Sequence, residues 1–230
     1  MWTASIAPQA VTRDLTELLS TEERDTAGRF HFDRHRQAYV FAHAVLRDIL
    51  GRYLNRPARK VRFEVNPYGK PFLVDADARI PPFFNLSHSG ALVLVAITSD
   101  RQIGVDVERV RPLEDIESMA RGHLSPQECA FVLRHDSKER ERAFFQCWTR
   151  KESYAKALGR GLSIPLNSFD TFMLAGNSGL LLARATEAPS VESWWLTDLE
   201  VPAGYVGALT VERGVDRIMF SQWLSLASAQ

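Results

Sequence analysis

The chain has 230 residues and a formal net charge of zero, with 28 basic and 28 acidic side chains, 45% hydrophobic and 24% charged residues. That composition excludes a disordered polyelectrolyte, a histone-like polycation and a collagen-like fibre, and argues against non-specific nucleic-acid binding by the chain as a whole. The length suits one large domain or two small ones, around a core that needs no staples. Cys129 and Cys147 form neither a disulfide framework nor a metal spacing. The N-terminus lacks the pattern of a signal peptide, and the longest strongly apolar run, 91–97, is far short of the ~20 residues of a membrane helix. A soluble cytoplasmic protein is therefore the default expectation.

Along the chain, Ser20 stands three residues before Glu23, a capping box that predicts a helix start. Residues 39–50 read as a mostly buried helix that Gly51 ends or bends. Residues 61–65 alternate as a strand, and Asn66-Pro67-Tyr68-Gly69-Lys70-Pro71 is turn chemistry. Residues 91–98 and 103–107 are two strands around a polar turn, a predicted hairpin. Residues 109–117 are polar and read as a connector. Ser125-Pro126-Gln127-Glu128 repeats the capping box with Pro at the first helical position. Residues 144–158 form a long helix stopped by Gly159 and Gly161. Strands are expected at 168–174, 179–184, 193–199 and 205–211.

A weak internal repeat links these elements. Leu19-Ser20-Thr21-Glu22-Glu23 matches Leu124-Ser125-Pro126-Gln127-Glu128, and each is followed by an apolar helix, a Gly-Arg pair and a strand. Gly90-Ala91-Leu92 echoes Gly207-Ala208-Leu209. Two related α+β halves would place a ligand between them.

Four constellations carry chemistry. In Gly104-Val105-Asp106-Val107-Glu108, strand periodicity sets Asp106 and Glu108 on one face. Two adjacent carboxylates call for a cation such as Mg²⁺ between them, or else face water on a strand edge. Glu152 and Lys156 are four apart on a helix, either a surface ion pair or a third metal carboxylate and a phosphate contact. Trp148 and Tyr154 nearby read as core, and Gly159-Arg160-Gly161 as a helix stop or a phosphate loop. Between Arg24 and Arg62 there are ten basic and three acidic residues, besides His31, His35 and His43, which suits a polyanionic ligand or balances acids elsewhere. In Asn85-Leu86-Ser87-His88-Ser89-Gly90 a hydrolase triad is discounted. Ser87 and His88 point to opposite faces of a strand, and the sequence lacks a Gly-x-Ser-x-Gly elbow. His88 is a phosphate donor or a structural histidine.

Taken in order, these segments resemble the 4'-phosphopantetheinyl transferases, specifically their longer, two-half group. The resemblance is carried by Tyr68-Gly69-Lys70-Pro71, Phe84-Asn85-Leu86-Ser87-His88-Ser89-Gly90, Gly104-Val105-Asp106-Val107-Glu108, Trp148-Thr149-Arg150-Lys151-Glu152-Ser153-Tyr154-Ala155-Lys156 and Gly159-Arg160-Gly161-Leu162-Ser163, with the arginine-bearing helix ending at Leu46-Arg47. It implies transfer of the phosphopantetheine arm of coenzyme A to a serine of an acyl or peptidyl carrier protein. It further implies Mg²⁺ on Asp106, Glu108 and Glu152, with Glu152 or a metal-bound water as base and Lys156 on the α-phosphate side. Ser87, His88, Lys70 and Lys151 would hold other phosphates or the nucleotide, and Arg36, with His88, the 3'-phosphate. The implied fold is α+β, two similar subdomains about a pseudo-twofold axis: 1–108, a connector at 109–123, and 124–230. Such a chain would act as a monomer, with neither nucleic acid nor membrane as partner. The carrier would dock near 113–124, where Leu113, Met119 and Leu124 are apolar contacts or core. A Mg²⁺-dependent nuclease and a non-catalytic coenzyme A or carrier-binding module are the rival classes.

Overall fold

The computed structural model describes residues 1–6, 13–74, 82–137, 139–171, 194–212, 215 and 217–224, apart from the Leu162 side chain. Both capping boxes form. The Ser20 hydroxyl accepts from the Glu23 amide at 3.2 Å while the Glu23 carboxylate accepts from the Ser20 amide at 2.9 Å, opening α2 (Thr21–Gly28) behind the short α1 (Arg13–Glu17). Ser125 and Glu128 make the same pair at 3.2 and 3.0 Å, opening α5 (Pro126–Leu133). The long helix α3 (Asp33–Leu54) runs straight through Gly51 and stops at Asn55, whose φ of 50° is left-handed. Gly51 serves close packing instead: a Cβ there would meet the Arg56 carbonyl oxygen at 2.7 Å. The second long helix, α6 (Arg140–Leu158), ends as expected at Gly159.

The strands fall into three sheets. β1 (Trp2–Ser5), β4 (Phe83–Ser89), β5 (Leu92–Thr98) and β9 (Ser221–Gln222) assemble in the order β4-β5-β1-β9. β6 (Ile103–Arg109), β7 (Trp194–Asp198) and β8 (Tyr205–Glu212) assemble as β6-β8-β7. A small hairpin joins β2 (Phe63–Val65) to β3 (Pro71–Leu73), its turn held by the Asn66 side chain accepting from the amides of Tyr68 and Lys70. The hairpin expected between β5 and β6 is not formed: β5 pairs with β4 and β1, β6 with β8. Strand periodicity explains the difference. Leu92, Leu94 and Ala96 of β5 pack face to face with Ile103, Val105 and Val107 of β6, while Val93 and Val95 turn the other way onto α3. Both strands are apolar on the faces they share, so they stack across a core rather than pair along an edge. The layers run α3, first sheet, second sheet, α6.

The topology repeats. β1-α2-α3-β4-β5 and β6-α5-α6-β7-β8 share one order once α1, the β2–β3 hairpin and the helix at 116–123 are set aside, and their sheets have the matching orders β4-β5-β1 and β7-β8-β6. A boundary after Glu108 falls inside β6, whose ladder spans Ile103 to Arg109 against β8. Residues 109–115 are irregular and lead into α4 (Ile116–His123). The strand expected at 179–184, and 172–174 of the one expected at 168–174, lie outside the described residues. Residues 168–171 close a 3-10 turn and continue as irregular chain.

Candidate active site

The alternation that buries Val105 and Val107 turns Gly104, Asp106 and Glu108 towards α6. Gly104 lets the helix come close: a Cβ there would lie 2.0 Å from the Ser153 carbonyl oxygen and 2.3 Å from the Ala157 nitrogen. One helical turn separates Glu152 from Lys156, so both face the strand carboxylates. The result is a cleft of about 890 Å³ whose walls include Ser87 and His88 of β4, Asp106 and Glu108 of β6, and Glu152 and Lys156 of α6.

Inside it, Lys156 Nζ lies 2.6 Å from Asp106 Oδ1 and 3.2 Å from Ser87 Oγ, and the Ser87 hydroxyl donates to Asp106 Oδ1 at 2.9 Å. Asp106 Oδ2 is buried without a hydrogen-bond partner among the described residues. The Ser89 hydroxyl donates to Glu108 Oε2 at 2.7 Å, and Arg111 approaches the same oxygen at 3.7 Å. Burial, and then the negative charge of Asp106, raises the Glu152 carboxyl above its ordinary 4.5, with Lys156 opposing. Glu108 is raised by burial first and by Asp106, against the Ser89 hydrogen bond. Loss of hydration, then the nearby His43 and Lys156, lowers His88 below 6.5.

Hard oxygen donors, mutual repulsion and an orphaned buried carboxylate oxygen together fit a hard divalent cation. Among the described residues no group of three or more His, Cys, Asp or Glu side chains is gathered closely enough to hold a metal ion. The Lys156 ammonium supplies the positive charge beside Asp106.

Three expected ligand contacts go elsewhere. Lys151 does not reach the cleft. It is fully buried, ion-paired to Glu128 at 2.7 Å and bonded to the carbonyls of Leu166 and Phe169. Lys70 also lies outside the cleft lining. Its ammonium caps the carbonyls of Ile103 and Ala157, both at 3.1 Å, and the Gln102 amide oxygen at 3.2 Å, and burial lowers its pKa to about 8. Arg36 is paired with Asp33 at 2.8 Å on the exposed start of α3. It lies two turns before His43 and on the same helical face.

The basic density between Arg24 and Arg62 disperses. Arg47 is buried on Glu23, Arg52 pairs with Asp48, and Arg59, Lys60 and Arg62 line a separate cavity with Glu17, Glu22 and Glu23. Leu124 is core, whereas Leu113 and Met119 pack half-buried against the same cluster and keep part of their surface exposed. Both cysteines are free and buried, with the Cys147 thiol pushed up to about 12 by burial.

Sequence reasoning missed other lining residues. His43, His123 and Trp148 face the cleft, and Trp148 meets His123 edge-on at 5.3 Å. The signal for Trp148 was present: 148, 152 and 156 share one helical stripe. His123 ends α4, and nothing in its local pattern marks it.

Comparison with known proteins supplies the class, that of a transferase. Residues 102–210 match the 4'-phosphopantetheinyl transferase superfamily, and residues 2–100 match the N-terminal region of 4'-phosphopantetheinyl transferases. Among curated relatives, 4'-phosphopantetheinyl transferase HetI of Nostoc sp. (strain PCC 7120) is 39% identical over 68% of this chain and 66% of its own length. The transferase Sfp of Bacillus subtilis (strain 168) is 33% identical over 66% of this chain and 65% of its own. That of Bacillus pumilus, psf-1, is 30% identical over 80% and 76%. The first relatives are matched over slightly less than two thirds of their length. The chain belongs to the 4'-phosphopantetheinyl transferase family.

Proposed function

We propose that this chain transfers the 4'-phosphopantetheine arm of coenzyme A to a serine hydroxyl of an acyl or peptidyl carrier protein, releasing adenosine 3',5'-bisphosphate. The observation that carries the reading is the cleft where Asp106, Glu108, Glu152 and Lys156 meet in a chain of this family. Mg²⁺ would be held by Asp106, Glu108 and Glu152 and would neutralise charge on the pyrophosphate. The remaining work falls to side chains. Glu152 accepts the serine proton. Lys156 moves from Asp106 to the departing phosphate. His88 donates a ring N–H to a phosphate oxygen. Catalysis is then positioning and charge neutralisation, as phosphoryl transfer requires.

The reading includes two fused halves, with β6 opening the second, working as a monomeric cytoplasmic enzyme with neither nucleic acid nor membrane as partner. The repeated sheet order supports the halves. Among the described residues no helix is long and apolar enough to cross a membrane. The test is to incubate the protein with coenzyme A, Mg²⁺ and a panel of apo carrier proteins and weigh the products. The expected result is a carrier heavier by one phosphopantetheine arm, with Asp106→Ala inactive at unchanged circular dichroism. No mass gain on any carrier overturns the proposal.

A further inference from the structure

β4 and β6 are edge strands of different sheets, and no backbone ladder joins them. Alternate side chains of β4 bridge the gap instead. Asn85 Oδ1 accepts from the Val105 amide at 2.8 Å, Ser87 Oγ from Val107 at 3.2 Å, and Ser89 Oγ from Arg109 at 3.0 Å. The constant offset means that the strands run in the same direction, two residues per step.

Two of these bridges also reach the cleft. A serine hydroxyl has one proton and two lone pairs. Because a β6 amide points at each oxygen, the single proton is committed to a neighbouring carboxylate: Ser87 to Asp106 and Ser89 to Glu108. Ser87 also contacts Lys156 and already belongs to the cleft's machinery. Ser89 does not contact Lys156, and its cleft partner is Glu108. We propose that Ser89 is a positioning residue: its hydroxyl takes the Arg109 amide and fixes one Glu108 oxygen, so that the other oxygen is aimed at the metal. The proposal rests on the metal reading above. It assigns a task to a serine that the sequence motif left unused, and makes the seam between the sheets the device that sets carboxylate orientation.

The experiment is a titration with Mn²⁺ as probe, followed by the electron paramagnetic resonance of the free ion, in the presence of coenzyme A. The proteins are the wild type, Ser89→Ala, Ser89→Thr, Glu108→Gln and the double variant Ser89→Ala/Glu108→Gln. Removing a hydrogen bond that orients a metal ligand should weaken Mn²⁺ binding about tenfold. Ser89→Thr, which keeps the hydroxyl, should stay near wild type. In the Glu108→Gln background Ser89→Ala should add nothing, because the two residues act as one unit. If Ser89→Ala does not fold, Ser89→Cys keeps the size with a weak donor and serves in its place. Unchanged Mn²⁺ affinity in the serine variant, or an equal loss with and without Glu108, overturns the positioning role while leaving the metal site standing. A wild-type protein that binds no Mn²⁺ overturns the metal reading and this role together, and the carrier assay then reports separately on transfer.

Discussion

At the scale of the residue, two lysines of α6 show how far a motif can be read. Lys151 and Lys156 stand five residues apart and therefore leave the helix on different sides. Lys156 enters the cleft, while Lys151 enters the core, where Glu128 receives it together with the amide and hydroxyl of Thr171 at 2.8 and 2.7 Å. Burial, countered by Glu128, lowers the Lys151 pKa. Its bonds to the Leu166 and Phe169 carbonyls tie down the chain that carries cleft residues 164–167. Lys151→Met would leave a buried carboxylate without its cation and should cost about 3–5 kcal/mol. Urea denaturation measures this, and the double variant Lys151→Met/Glu128→Gln should recover part of the loss. A destabilisation below 1 kcal/mol would contradict the core role. Asp106 beside Glu108 and Glu152 beside Lys156 were legible from the strand and helix periods, whereas the meeting of the two pairs depends on the close approach of α6 at Gly104. Lys70, Lys151 and Arg36 were not. Lys70 and Lys151 take their partners from tertiary neighbours that local sequence does not name, whereas Arg36 pairs locally with Asp33.

Elements were legible where their ends carry their own chemistry. Both capping boxes announce helices, and both appear with reciprocal bonds. Gly51 misled because a glycine reads the same whether it stops a helix or makes room beside it. The β5–β6 hairpin failed for a related reason: a polar turn between apolar strands fits a ladder and a stack equally well, and only the matched apolar faces decide. Gly104 is the element-scale test of the cleft. An alanine there drives a methyl into the backbone of α6 at Ser153 and Ala157. Overpacking of this kind costs about 1–3 kcal/mol, and more where backbone cannot yield. Gly104→Ala should therefore lower the melting temperature and also reduce turnover, because Glu152 and Lys156 shift with the helix. An unchanged melting temperature and turnover would show that α6 does not depend on this approach.

Across the whole molecule, the repeat that looked weak as sequence is plain as topology, since strand order survives the substitutions that erase residue identity. The end of the chain was not legible at all. β9 returns to pair in parallel with β1, and Trp223 behind it packs edge-on against Phe41 at 5.6 Å while its indole N–H donates to Asp48 at 2.8 Å. A two-residue strand has too short a period to announce itself. Trp223→Ala should cost about 3–5 kcal/mol, read by chemical denaturation, with the loss felt in the α3 core. A change under 1 kcal/mol would mean that the C-terminal segment merely rests on the first sheet.

The seam of Asn85, Ser87 and Ser89 has a consequence for solubility. β6 is an edge strand, and an edge with idle amides is a template for another chain. Here every second amide of that edge is occupied by a short polar side chain that cannot itself extend a sheet. Without β4 those amides would be bare, and β6 would be a strand open to copies of itself.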